Sequence, residues 1–339
     1  MPNFFLRRAA TLRRVRAVVL LLAVTTAVAP AAAQTDAVRV VASVGMVGDV
    51  AAAITGPCAD VVTLMGPGVD PHGYRATASD VRALGEADLV LYVGLDLEAR
   101  LGEVLARFGD RARVVAVAEA AVPTEARRFG EGGTVDPHVW MDPALWRPVA
   151  AGIAGVLAEV VAPDCRADLG ERAAAYDALL GELVAWTAVT VASVPPEARV
   201  LITAHDAFEY FGRAFGLEVV GLQGLSTVAE ASLADVRALA DLIADRTVPA
   251  VFVESTINPR TIEAVRVAAR DRGADVAVGG ELFSDAFGSA GSPEGTYVGM
   301  IVHNAATIAR ALGGAPTPLP PALAAWADGW PTPPAALAP

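Results

Sequence analysis

Short runs of β-branched and other apolar residues recur along the chain and alternate with segments of helical periodicity. In the first half, the apolar runs lie at residues 38–44, 61–65, 89–93 and 114–117, and the helical segments at about 46–55, 77–86, 97–107 and 143–161. In the second half, the runs lie at 200–203, 218–220, 250–253 and 276–278, and the helical segments at about 207–215, 232–245, 259–272 and 296–312. This alternation predicts parallel βαβ units in two similar halves.

A longer helix is predicted between the two halves. Apolar residues repeat there at steps of four and three, at Leu169, Ala173, Tyr176, Leu180 and Leu183, which is the spacing of one helix face. At 1.5 Å per residue, about 30 residues span roughly 45 Å, enough to run along both halves. We therefore predict an α/β fold of two lobes, each with a small parallel sheet flanked by helices, bridged by a single long helix.

The N-terminal segment has the features of an export signal. Five Arg and no acid lie within residues 1–16, followed by an apolar run at 17–29 and small residues up to Ala33. This order is typical of a signal peptide that is cleaved near Ala33, so we expect a soluble periplasmic protein. No Cys directly follows the expected cleavage point, which argues against a lipid anchor.

These patterns divide the chain into five parts. They are a signal peptide at 1–33, an N-terminal α/β lobe at 34–163, a linking helix at 164–194, a C-terminal α/β lobe at 195–312 and a Pro/Ala-rich tail at 313–339. The tail is expected to be an extended segment packed on the surface.

Composition narrows the classes of function. The chain has 38 acidic residues against 26 basic ones, and its formal net charge is −12. This balance argues against a nucleic-acid partner, which requires a basic face. An apolar share of 54% excludes a disordered chain. Cys58 and Cys165 are the only two cysteines. Export permits one disulfide between them, and the alternative is two buried small apolar residues.

Three of the four histidines follow strand signals. The three are His72, His138 and His205, and each lies in a loop after a predicted strand. His303 lies within a predicted helix and is interpreted as structural. Ligands of open α/β sheets bind beyond the carboxyl ends of strands, and imidazole is a common ligand of transition metals. An anionic fourth ligand is expected from the second half, and spacing alone does not decide between Glu254 and Asp285. Asp206 also follows the strand but is expected to cap the next helix.

Several ordered segments resemble the cluster A-I solute-binding proteins, the zinc and manganese receptors of ABC transporters, and in particular their TroA-like branch. These segments are residues 66–80 (GPGVDPHGYRATASD), 136–140 (DPHVW), 203–208 (TAHDAF), 221–227 (GLQGLST), 280–285 (GELFSD) and 294–304 (EGTYVGMIVHN). The resemblance extends from about residue 38 to residue 312.

The resemblance implies a fold, a site and a function. It implies two α/β lobes bridged by one rigid helix, and metal ligands at His72, His138, His205 and Asp285. Glu254 then becomes a hydrogen-bond partner of a ligand. The expected cargo is Zn(II) or Mn(II), and the absence of His from residues 119–135 weakens a zinc-only assignment.

The implied function is metal binding and delivery to an ABC importer permease in the inner membrane, by a monomer that catalyses nothing. The alternative is a secreted zinc-dependent hydrolase, with Glu254 as the general base.

Overall fold

The computed structural model describes residues 37–109 and 112–337, so the predicted signal peptide at 1–33 lies outside the described residues. Within these described residues, eight strands form two parallel four-stranded sheets. The first sheet contains β1 (Val38–Ala42), β2 (Ala59–Thr63), β3 (Leu89–Tyr92) and β4 (Arg113–Ala116). The second contains β5 (Val200–His205), β6 (Glu218–Gln223), β7 (Ala250–Glu254) and β8 (Ala277–Leu282). The strand orders are β2-β1-β3-β4 and β6-β5-β7-β8, so the two lobes share one topology.

Helices connect and cover these strands. In the first lobe they are α1 (Gly45–Thr55), α2 (Ala78–Gly85), α3 (Ala99–Leu105), α4 (Val117–Ala121) and α5 (Pro143–Val160). The long connector is α6 (Arg166–Ala192). It is followed by α7 (Glu209–Phe215), α8 (Leu233–Arg246), α9 (Arg260–Arg270), α10 (Tyr297–Ala311) and α11 (Pro321–Asp328).

The central strands are mostly apolar because helices cover both faces of each parallel sheet. Val40, Val41 and Ala42 of β1 are fully buried, and every residue of β5 is buried. The predicted α/β fold of two lobes and one connecting helix is confirmed.

The connector α6 packs against α1, α5, α10 and α11. By length and composition alone, the segment Pro163–Ala192 could cross a membrane. In the structure, however, its apolar side is buried at Leu169, Leu180, Leu183 and Trp186. The 27 residues of α6 span about 40 Å at the usual helical rise. One stiff element therefore contacts helices of both lobes.

The last strand is longer than the sequence pattern predicts. The apolar run ends at residue 278, but β8 continues to Leu282. Two glycines interrupt the apolar pattern because the backbone is crowded there. A Cβ on Gly279 would lie 2.7 Å from a ring atom of Phe252, and Gly280 has a φ of 141° that favours glycine. The strand therefore ends only three residues before Asp285.

The expectation of an extended tail is wrong, because α11 lies within it. Pro320 and Pro321 stand at the start of this helix, where a missing backbone N–H has no cost. The helix is held against the connector, since the carboxylate of Glu182 accepts the backbone N–H of Ala322 at 2.8 Å.

The two cysteines form a disulfide, which decides between the two alternatives left open by the sequence. Their Cα atoms lie 6.0 Å apart, a usual spacing for a disulfide. The bond ties the start of β2 to the turn that precedes α6. Arg172 strengthens the same junction by donating to the carbonyl oxygens of Ile54 and Thr55, each at 2.7 Å.

Candidate metal centre

Four side chains from distant parts of the chain meet between the two lobes. His72 lies in the loop between β2 and α2, and His138 lies in the loop before α5. His205 ends β5, and Asp285 follows β8. The potential ligand atoms of these four residues all lie within 4.8 Å of one another. The structure therefore brings together all four residues that the resemblance implies as ligands.

The four side chains are directed at one another through their Nε2 atoms and the carboxylate. The Nε2 atoms of His72 and His138 lie 3.3 Å apart. The Asp285 oxygens lie 3.1 Å from Nε2 of His205, 3.4 Å from that of His138 and 3.7 Å from that of His72. His72 is 6% exposed, and the other three are 2% exposed or less.

The other ring nitrogen of His138 is held by Asp136. Nδ1 of His138 lies 2.7 Å from Oδ1 of Asp136, and the same oxygen accepts the backbone N–H of His138 at 3.0 Å. A carboxylate at Nδ1 keeps the proton on that nitrogen and leaves Nε2 free to bind a metal ion. The ring of His138 therefore has a fixed orientation, and Nδ1 keeps its proton when Nε2 gives up its own to bind an ion.

Glu254 occupies the corresponding position behind His205. Its Oε1 accepts the backbone N–H of His205 at 2.8 Å, and its Oε2 lies 2.6 Å from Nδ1. Glu254 ends β7, the strand next to β5, and is 2% exposed. The parallel pairing of the two strands thus places a buried carboxylate behind the imidazole, outside the group of four.

His72 is positioned by its own loop. Oδ1 of Asp70 accepts the backbone N–H of His72 at 2.9 Å. The other oxygen, Oδ2, accepts the hydroxyl of Thr227 from the opposite lobe. Asp70 therefore links the His72 loop to the C-terminal lobe.

Aromatic side chains join the lobes on the other side of the centre. The ring of Trp140 lies 5.3 Å from that of His138, centroid to centroid. Its Nε1 donates to the carbonyl oxygen of Ser284 at 2.9 Å, directly before Asp285. The hydroxyl of Tyr297 donates to the carbonyl oxygen of Trp140 at 2.8 Å. Trp140 thus connects the ring of His138 to the segment that carries Asp285 across the lobe interface.

The electrostatics of the centre separate one neutral imidazole from two charged ones. Burial lowers the pKa of His72 to about 4, because the charged form loses its solvation. Burial also opposes protonation of His138, but contacts with Asp136 and Asp285 outweigh it and raise its pKa to about 9. In the same way, Glu254 and Asp285 outweigh burial and raise the pKa of His205 well above its usual range.

Asp285 is ionised and has free acceptor capacity. Burial favours its neutral form, but the positive charge of His205 and the contact with His138 keep its pKa well below the usual range. Neither of its oxygens accepts a well-formed hydrogen bond from the described residues, and Nε2 of His205 makes none either. Buried acceptors without partners are costly. A divalent cation would satisfy them, and three imidazoles with one carboxylate are a ligand set for a first-row transition metal.

The remaining sequence candidates lie outside this group. Asp206 does not contribute to it, and its carboxylate caps no helix, since α7 begins at Glu209 without a side-chain cap. Nε2 of His303 lies 2.9 Å from the carbonyl oxygen of Glu281. Asp136 flanks His138 in the sequence and is interpreted there as bracing the loop; its contact with Nδ1 is visible only in the structure.

Comparisons with known proteins find similar sequences over most of the chain. A family model described as "Zinc-uptake complex component A periplasmic" (ZnuA) matches residues 40–311. The zinc-binding protein TroA of Treponema pallidum (strain Nichols) is 48% identical over 273 residues, which cover 80% of this chain and 88% of TroA. The manganese-binding lipoprotein MntA of Bacillus subtilis (strain 168) is 42% identical over 274 residues, which cover 81% of this chain and 89% of MntA.

A solved structure is similar over the same part of the chain. The periplasmic zinc binding protein TroA from Treponema pallidum matches with a TM-score of 0.80 and 47% identity, over 81% of this chain and 99% of that chain. The resemblance inferred from the sequence segments is thereby confirmed.

Proposed function

Because this chain belongs to the family of the periplasmic zinc-uptake component A, we propose that it binds Zn(II) or Mn(II) outside the inner membrane and delivers the ion to an ABC importer. The observation that carries this proposal is the buried group of three Nε2 atoms and one ionised carboxylate, in which neither carboxylate oxygen nor Nε2 of His205 has a hydrogen-bond partner among the described residues. In this proposal, residues 34–163 and 195–312 are the lobes, 164–194 is the connector, and His72, His138, His205 and Asp285 are the ligands.

The donor set suits both metals. Three neutral imidazoles and one carboxylate leave a net charge of about +1 on a divalent ion. If Asp285 binds through one oxygen, the site is tetrahedral and suits zinc, with Zn–N bonds of about 2.0–2.1 Å. If it binds through both, the higher coordination number suits manganese. Intrinsic affinity favours zinc, and named relatives include both a zinc-binding and a manganese-binding protein.

Binding requires only a small relative movement of the lobes in this proposal. The stiff connector α6 restricts a wide hinge opening. The hydrogen bonds of Trp140 with Ser284 and of Tyr297 with Trp140 restrict it further, because they join the two lobes. A large rotation between crystal structures with and without metal would contradict the rigid version.

The hydrolase alternative is not supported. A catalytic zinc keeps an open position for water, whereas four protein side chains converge here. Glu254, which would be the general base, has both oxygens directed at His205. The similar proteins named above are binding proteins.

Metal titration tests the proposal. We expect His72→Ala and Asp285→Ala each to weaken zinc and manganese binding at least about tenfold, since each removes one of four ligands, measured by competition with a chromogenic chelator. His303→Ala is the matched control and leaves the affinity unchanged. Equal affinity in all variants would refute the ligand assignment.

Delivery and export need separate measurements. Deleting the gene in its native host should reduce uptake of radioactive zinc or manganese, and the wild-type gene but not Asp285→Ala should restore it. Mass spectrometry of the exported protein should show a new N-terminus near Ala33. Unchanged uptake, or an uncleaved chain in the cytoplasm, would contradict these two parts of the proposal.

A further inference from the structure

A cavity of about 460 Å³, lined mostly by the C-terminal lobe, reaches Asp70 near the metal centre. Its walls include Asp70 from the N-terminal lobe and Gln223, Thr227 and Glu230 from the C-terminal lobe. Asp70 connects this cavity to the centre, because it accepts the backbone N–H of His72. His72 is also the most exposed of the four candidate ligands, at 6%. The centre is therefore least covered at His72, the ligand that Asp70 ties to the cavity wall.

One hydrogen bond crosses between the lobes at this place. The hydroxyl of Thr227 donates to Oδ2 of Asp70, while Oδ1 of the same carboxylate holds the backbone of His72. A hydrogen bond to a carboxylate is stronger than one between neutral groups. The contact thus joins a loop of the C-terminal lobe directly to the loop that carries His72.

Little else holds the Thr227 loop, which we define as residues 224–231. Most of its side chains are exposed, and Val228 is 58% exposed. A second cavity of about 610 Å³ lies against the same loop and shares Gln223 and Glu230 with the first. Leu225 of this loop also lies close to Gly130 of the N-terminal lobe, where an added Cβ would lie 2.6 Å from the Leu225 side chain. The loop is therefore underpacked and secured at a few points.

We propose that Thr227 is a positioning residue that latches its loop onto Asp70, holds the His72 loop closed over the bound ion, and so sets the rate of metal release. This inference rests on the proposed function and extends it. The latch also gives a role to residues 221–227, a segment that resembles the family but contributes none of the four candidate ligands. The ion leaves when the latch opens and the His72 loop moves away from the other three ligands.

Stopped-flow release from the metal-loaded full-length mature protein tests the latch. Zinc-loaded protein is mixed with excess chromogenic chelator, and the rate of metal transfer is followed. We expect Thr227→Val, which keeps the shape but removes the hydroxyl, to release zinc roughly tenfold faster, the size of effect expected for losing a charge-assisted hydrogen bond. Thr227→Ser restores a hydroxyl and should return the rate to that of the wild type.

The same cavity offers a matched control. Thr261 lines it too, but its hydroxyl donates to the carbonyl oxygen of Asn258 within its own lobe, at 2.8 Å. Thr261→Val should therefore release zinc at the wild-type rate. Thermal melts of the metal-free variants should coincide, which separates a positioning effect from a loss of fold.

The possible failures are distinguishable. The latch is overturned if Thr227→Val releases zinc at the wild-type rate, if Thr227→Ser does not rescue it, or if Thr261→Val is equally fast. If His72→Ala leaves the zinc affinity unchanged, the proposed ligand set fails, and the latch fails with it. If His72→Ala weakens binding while Thr227→Val has no effect, only the latch is wrong.

Discussion

Replacing Glu254 by Gln tests whether a carboxylate behind an imidazole governs metal affinity. The substitution keeps the shape of the side chain, but an amide has only one acceptor oxygen. In the native structure, the two carboxylate oxygens face the backbone N–H of His205 at 2.8 Å and Nδ1 at 2.6 Å. If the amide oxygen keeps the backbone N–H, the amide NH₂ group faces Nδ1.

The consequence for His205 follows from this arrangement. Nδ1 must then act as an acceptor, which moves the ring proton to Nε2, the atom that lies 3.1 Å from Asp285. That proton occupies the position where the ion binds. Loss of such an orienting partner weakens metal affinity by about 10–100-fold, which corresponds to about 1.4–2.8 kcal/mol.

Competition titrations with zinc and manganese measure this effect directly. Glu98→Gln is the matched control. Glu98 is also a buried glutamate, at 3% exposure, but it accepts from Ser43 and from the backbone N–H of Val93 within the N-terminal lobe. We expect this control to bind metal normally once folded. The reasoning is refuted if Glu254→Gln binds as tightly as the wild type, or if both variants weaken binding equally.

Three further predictions address the rest of the structure. The pKa of His138 is raised to about 9 and that of His205 is raised well above its usual range, so both side chains carry an extra proton at neutral pH. Metal binding should therefore release up to about two protons per ion, and the metal affinity should increase as pH rises from 6 to 8. Calorimetry in buffers of different ionisation enthalpy measures this release, and equal heats in all buffers would contradict it. Asp136→Asn should weaken zinc binding by about 10–100-fold, since it disturbs Nδ1 of His138, and an unchanged chelator competition would count against that role. Replacing Cys58 and Cys165 by Ser removes a crosslink across 107 residues. This should lower the free energy of unfolding by up to about 5 kcal/mol and leave the zinc affinity unchanged. An unchanged denaturation midpoint would contradict the stabilising role of the disulfide.

Much of the fold could be predicted because parallel strands between covering helices have continuous apolar runs. β5 is buried along its whole length, and its sequence signal is correspondingly clear. The prediction failed where local residue type and tertiary packing disagree. Gly279 and Gly280 interrupt the apolar run of β8 because the crowded backbone there excludes side chains. The Pro-rich tail reads as extended, yet α11 forms where Glu182 accepts its first backbone N–H groups.

The candidate centre was predictable in its members but not in its surroundings. The chain has only four histidines, so each is a natural candidate ligand. His72 lies in the loop after β2 and His205 ends β5, whereas His138 lies in the loop before α5 rather than directly after a strand. The choice of Asp285 over Glu254 required the resemblance, because sequence spacing does not tell which carboxylate faces Nε2 and which faces Nδ1. The contact of Thr227 with Asp70 joins residues 157 positions apart. No periodicity encodes such a contact, and only the packing of one lobe against the other creates it.

In the proposed function, one divalent ion binds among His72, His138, His205 and Asp285. A crystal structure of the zinc-loaded protein, with anomalous diffraction measured at the zinc absorption edge, tests it most directly. We predict one strong peak about 2.0–2.2 Å from the three Nε2 atoms and from an oxygen of Asp285. A peak elsewhere on the protein, or zinc-loaded crystals with no peak between these four side chains, would contradict the account.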